Sequence, residues 1–334
     1  KQIRIKINLR SVSIIMFYIF INMAQNNFFD LIKYKLILIL ICLNSFYISS
    51  QKLISSKLEI YDIYNEKRKV VLEEKNHLEA PNWLNENELI YNSNGLIYRY
   101  NFKTKQKTKI FTGFANNCNN DHGIFPNGKE LIISNNDKDP NSKNSWGVSR
   151  IYRVPLEGGT PELITPKGHS FWHGISPDGE SILYTAFRNE EADVYKMNLS
   201  EKKEIRLTYE SGLDDGPEYS HDGKHIYYNS IASGKMEIWK MDKDGKNKIP
   251  LTNDKYSNWF PHPSPDGKHL VFISYITDQG DKHPPLKEVM LRLMDLKSLK
   301  IKKLFEFIGG QGTINVPSWS KDSKKFAFVS YTKD

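Results

Sequence analysis

Cysteine is nearly absent from this chain, with Cys42 and Cys118 the only two in 334 residues. Cys42 falls in a segment expected to be removed, so no intrachain disulfide is available and a packed core must hold the mature protein together. No apolar run reaches the ~20 residues that a membrane-crossing helix needs. No block of like charge stands out either: residues 1–50 carry +5 of the net +8, and the remaining charges alternate in sign. That pattern is a solvated surface and excludes the basic stripe of a nucleic-acid binder. No Gly-x-Ser-x-Gly elbow occurs, which argues against a serine hydrolase. The one glycine cluster, Gly309-Gly310-Gln311-Gly312, precedes a strand and opens no helix, so it is not a phosphate loop.

What the chain does contain begins with a leader. Residues 36–48 are an apolar stretch preceded by Lys33 and Lys35 and followed by Ser49-Ser50-Gln51. A basic region, a short apolar core and small residues read as a secretory signal. Met23 is read as the initiator and residues 1–22 as upstream of it. Ile41 before Cys42 is too large for a lipidated cysteine. The expected division is therefore a signal segment over 1–50 and a mature domain over 51–334, exported to the periplasm or beyond. No membrane span is expected in the mature form, which is read as a monomer.

The mature part repeats itself. Ser176-Pro177-Asp178-Gly179, Ser220-His221-Asp222-Gly223 and Ser264-Pro265-Asp266-Gly267 each precede a strand-like run, and their aspartates are spaced 44 residues apart. In such a turn proline presets φ, aspartate bonds its own backbone and glycine supplies positive φ. Short strands on a period of about 40–50 residues mean propeller blades. The units begin near Asn82, Asp121, Phe171, Asp215, Trp259 and Asn315. The sixth has only two strands before the chain ends. The missing pair is predicted at Lys57–Ile63 and Lys67–Leu72, so N-terminal strands complete the C-terminal blade and close the ring. The predicted fold is all-β: a six-bladed β-propeller of four-stranded blades.

Chemistry in a propeller gathers around the channel. Five residues before each turn the column reads Pro81, His122, His173, Pro217, Pro261 and Pro317. Two adjacent blades replace proline with histidine, each followed by glycine (Gly123, Gly174). His262, Asp121, Asp214, Asp215, Glu218 and Asn315 lie close by in other blades. The two longest B–C loops, Asn136–Val148 and Thr277–Lys287, open on the same face and carry Trp146, Asp281 and His283, with His169 near them. Long loops on a rigid scaffold tend to be functional. Trp146, Trp172 and Trp259 are candidate stacking platforms for a sugar, and the carboxylates are acceptors for its hydroxyls. His122, His173 and His262 are candidate ligands of a divalent metal. Alternatively, His122 and His173 supply acid/base groups with Asp214, Asp215 and Glu218 assisting. Asp178, Asp222 and Asp266, although the most visible acids, are read as turn residues.

The Ser-Pro-Asp-Gly turns followed by Ile-Tyr-Tyr or Leu-Val-Phe strands resemble those of the TolB-type, WD40-like six-bladed propellers of bacterial envelopes, over residues 58–334. The resemblance implies the fold and an envelope setting. It leaves function open, because such propellers bind proteins, cap peptidases and carry sugar-cleaving sites. Residues 51–57 are too few for the helical domain of TolB itself, so a role distinct from that protein's is expected. A more distant likeness to oligogalacturonate lyases implies a histidine-bound metal (Mn, Zn or Ca) in the channel. Two readings stand: an exported propeller binding a saccharide or an envelope protein at the channel mouth, or a metal- or histidine-dependent lyase or hydrolase of oligosaccharides in the same channel.

Overall fold

The computed structural model describes residues 54–333 apart from 143 and 189. The signal and upstream segments lie outside the described residues. Five four-stranded antiparallel sheets follow one another along the chain, and a sixth is built from both ends. The innermost strands are Glu79–Asn85, Cys118–Ile124, Ser170–Ile175, Asp214–Tyr219 and Ser257–Pro263. In the sixth blade the inner strand is reduced to a bridge from Trp319 to Phe326. Its other three strands are Lys325–Lys333, Ile54–Asp62 and Lys67–Glu74, with Ile54 paired to Lys333 and Asp62 to Lys325. The ring therefore closes as the sequence predicts, with N-terminal strands forming the outer half of the last blade. At this seam Glu59 is buried, takes a hydrogen bond from Ser330 and is clamped by Arg68 through two nitrogens at 2.6 Å.

The second strand of each blade is buried on both faces. Ile182-Leu183-Tyr184 and Leu270-Val271-Phe272-Ile273 have no exposed surface, which is why these strands read as continuous apolar runs and not as an alternation. Between blades the same residues fill shared cores, such as the Trp259, Phe326 and Phe328 cluster.

The repeated turn is one hydrogen-bonded device. Ser176, Ser220, Ser264 and Ser320 each donate to the aspartate two residues on and accept the N–H five residues on, at 2.9–3.0 Å. Gly179, Gly223 and Gly267 adopt φ of 75°, 68° and 68°, a region closed to most side chains. The turn aspartates are thus engaged within their own turns, by the serine hydroxyl and a backbone N–H, and stay on the lower face, away from the channel chemistry.

Candidate functional site

Each inner strand of blades 1 to 5 carries a bulge, and the bulges build the site. The ladder skips Ala80-Pro81, Asn119-Asn120-Asp121, His173, Gly216-Pro217 and Phe260-Pro261. Proline fits there because a bulged residue owes no N–H to the ladder. A bulge also re-aims side chains, and this separates the two histidines. His173 is itself the bulged residue, whereas His122 is back in register, paired with Ile133. A one-residue difference in register sends a side chain to the other face of the strand.

The consequences for the proposed residues are direct. His122 is completely buried, with the backbone of Asn120 and Ile90 near its ring, and burial outweighs them and pushes its pKa down to about 4. His262 is held lower in the channel, where Nδ1 lies 2.6 Å from Glu218 Oε2 and Nε2 reaches the Ile314 carbonyl. It ties blades 4, 5 and 6 together, and burial raises the pKa of Glu218. His173 sits higher, so the three histidines considered as metal ligands are not brought to one point. Among the described residues no group of three or more His, Cys, Asp or Glu side chains is arranged to hold an ion. The residues do not fit the implied metal, and no step below runs through one.

His173 instead anchors a polar cluster at the upper mouth. Its Nε2 lies 3.1 Å from Asp215 Oδ1, and its Nδ1 lies 3.4 Å from the Asn315 carbonyl. With both nitrogens facing acceptors, the ring is an imidazolium. Burial alone would lower its pKa, but Asp215 and then Asp121 outweigh that and hold it at about 9. Burial works against the Asp215 carboxylate too, yet His173 and a 2.7 Å hydrogen bond from Thr185 hold its pKa far below the usual range. His283, from the long loop of blade 5, brings Nε2 to 3.7 Å from Asp215 Oδ2. Burial lowers the pKa of His283. Burial lifts Asp121 to about 7, with Asp215 adding to the effect, and lifts Glu79 behind it to about 7. Asp214 faces away from this cluster, between blades, near Thr208 and Ser230, and burial raises it to about 6.

Above the cluster opens a cavity of about 340 Å³. Asn119, Asn120, Asp121, Asp215, Gln311 and Asn315 supply polar lining. Trp146, Phe171, Phe187 and Phe260 line it as well; Trp146 and Phe171 centroids lie 6.2 Å apart and Phe171 and Phe187 6.1 Å apart, while Phe260 packs on His173 and His283. Trp146 is 43% exposed and Phe187 47%, whereas Trp172 is 1% and Trp259 0%. Of the three tryptophans proposed for stacking, only Trp146 is available to a ligand. The other two are inter-blade packing, Trp172 against Gly123 and Trp259 in the core it shares with Phe326 and Phe328 of blade 6. His169 lies at the rim, 4.9 Å from the Trp146 ring and near Asn144. Phe260, Thr185, Gln311 and Glu79 were not marked by the sequence pattern. Only Phe260 had a signal available, its place beside a proline in the bulge column. A second, proline-walled cavity of about 280 Å³ opens at the lower end of the channel, lined in part by His221, Trp83 and Trp319.

Comparison with known proteins converges on one family. Residues 167–283 match the model of the TolB beta propeller domain. An uncharacterized protein of Agrobacterium fabrum is 44% identical over 278 residues, spanning 83% of this chain and 92% of its own length. A solved structure assigned to TolB from Agrobacterium tumefaciens superimposes with a TM-score of 0.79 at 42% identity, over 84% of this chain and 99% of that one. TolB from Acinetobacter baumannii gives a TM-score of 0.59 at 19% identity, over 77% of this chain and 64% of that one, a likeness of fold alone.

Proposed function

The chain belongs to the TolB-like β-propeller family, and on that premise we propose that it is an exported binding propeller that takes a saccharide at its upper mouth. The observation that carries this reading is the mixed lining of the cavity, which combines the exposed aromatic rings of Trp146 and Phe187 with the amides and carboxyls of Asn119, Asn120, Asp121 and Asn315. A sugar ring uses both kinds of lining, with an apolar C–H face for stacking and hydroxyls for charge-assisted hydrogen bonds. The N-terminal apolar stretch supports export, and among the described residues no helix is long and apolar enough to cross a membrane.

One observation keeps the catalytic alternative in view. Asp121, at about 7, and Asp215, far lower, flank the same imidazolium, and carboxyls pushed apart in this way are how acid and base roles are divided.

Calorimetric titration with neutral, amino and acidic oligosaccharides tests the reading, with mass spectrometry of each mixture. Saturable binding with intact ligand supports a binding module, and Trp146→Ala should weaken it about tenfold through the lost stacking face. Turnover into products would establish the lyase or hydrolase instead. Binding of no saccharide, with retention of an envelope protein at this mouth, would replace the sugar by a protein ligand.

A further inference from the structure

The charges of the upper cavity narrow the ligand further. Among the described residues that line it, three are aspartates (Asp121, Asp215 and Asp281) and none is a lysine or arginine. Its one cation, His173, is already committed to Asp215 at 3.1 Å, and Thr185 and His283 add to that pairing. Asp121 is different. It is 5% exposed, it lines the cavity, no described residue donates a hydrogen bond to its carboxylate, and only the charge of His173, shared with Asp215, offsets its burial. Glu79 behind it adds like charge. A carboxylate buried without a donor is costly, and a ligand that brings one removes the cost.

We propose that the saccharide bound at the upper mouth carries a free ammonium group seated on Asp121, making it an amino sugar rather than a uronate. The proposal rests on the saccharide reading above. An ammonium offers three donors and the matching charge, and the exposed Trp146 ring in the same cavity tolerates a cation better than an anion. A uronate would bring a second carboxylate into a cavity with no free cation, where like charges repel strongly at reduced dielectric. An N-acetylated sugar keeps the ring but loses the charge.

The test is calorimetry at pH 7 with the intact chain and three trimers: glucosamine, N-acetylglucosamine and galacturonate. The glucosamine trimer is expected to bind about tenfold or more tightly than its acetylated form, and the galacturonate trimer not to bind at the highest concentration used. Asp121→Asn should bring the first two affinities together. An acetylated trimer that binds as well as the free amine, or a galacturonate trimer that binds best, overturns the ammonium proposal while leaving a saccharide site standing. Binding of none of the three overturns both. If Asp121→Asn does not fold, the ranking by the unaltered chain decides the matter.

Discussion

Asp215→Asn is expected to cost about 3–5 kcal/mol of stability at neutral pH, because it leaves the imidazolium of His173 buried without its counter-charge. Both partners are deeply buried, so solvent cannot substitute for the lost carboxylate. The effect carries a pH signature. His173 is held at about 9 in the folded chain against an ordinary 6.5, so the folded state binds the proton more tightly than the unfolded state. This stabilisation is fully present below about pH 6.5 and is lost as pH rises through about 9, worth ~3 kcal/mol in all. Asp121 and Glu79 act in the same direction at lower pH, since burial lifts both to about 7. They favour the folded state while protonated, and their contribution fades as pH climbs from about 4 to about 7. Denaturant titrations across pH 5–10 should show an alkaline loss in the parent chain that is absent from Asp215→Asn. A variant within 1 kcal/mol of the parent, with the same alkaline limb, would mean that the pair does not exist as described.

The second large effect lies in the glycines that follow His122 and His173. A methyl group on Gly123 would stand 2.0 Å from the Trp172 ring, and one on Gly174 would stand 2.7 Å from the Pro217 carbonyl oxygen. Neither glycine has positive φ, so the requirement is for space and not for an unusual backbone. Each lets the next blade's inner strand approach the channel wall. Gly123→Ala should therefore cost about 3 kcal/mol, at the upper end for overpacking, because the indole is fully buried and rigid. Adding Trp172→Phe should recover part of that loss, and the coupling in the double-mutant cycle would locate the clash. Equal stability of Gly123→Ala and the parent would show that the blades are not packed this closely.

The sequence made the fold legible because its signals are local. Blades 3 to 5 are punctuated by a turn whose serine, aspartate and glycine act together within six residues, and variants of it mark the others, so the period and the two-strand deficit of the last blade can be read from the sequence alone. The site was legible in part. The upper face, the long loops and the His173–Asp215 neighbourhood follow from blade alignment. What alignment cannot supply is the register of a bulge, which is set by ladder pairing with the second strand. The bulge ends one residue earlier in blade 2 than in blade 3, so His122 turns into the blade while His173 faces the channel. The same blindness applies to Trp172 and Trp259, which look like stacking platforms in sequence and prove to be packing. Thr185 and Glu79 join the site from a second-strand end and a neighbouring blade, positions with no local mark.

The most direct test of the account uses the chain's own histidines as reporters of position. Ring carbon and nitrogen shifts would be followed during titration with the tightest-binding oligosaccharide. His173 and His283 belong to the upper cavity, and His221 lines the lower one. The account predicts that His173 and His283 shift together, saturating at the calorimetric affinity, while His221 stays still. A shift of His221 with His173 and His283 unmoved would place the ligand at the opposite end of the channel and contradict it.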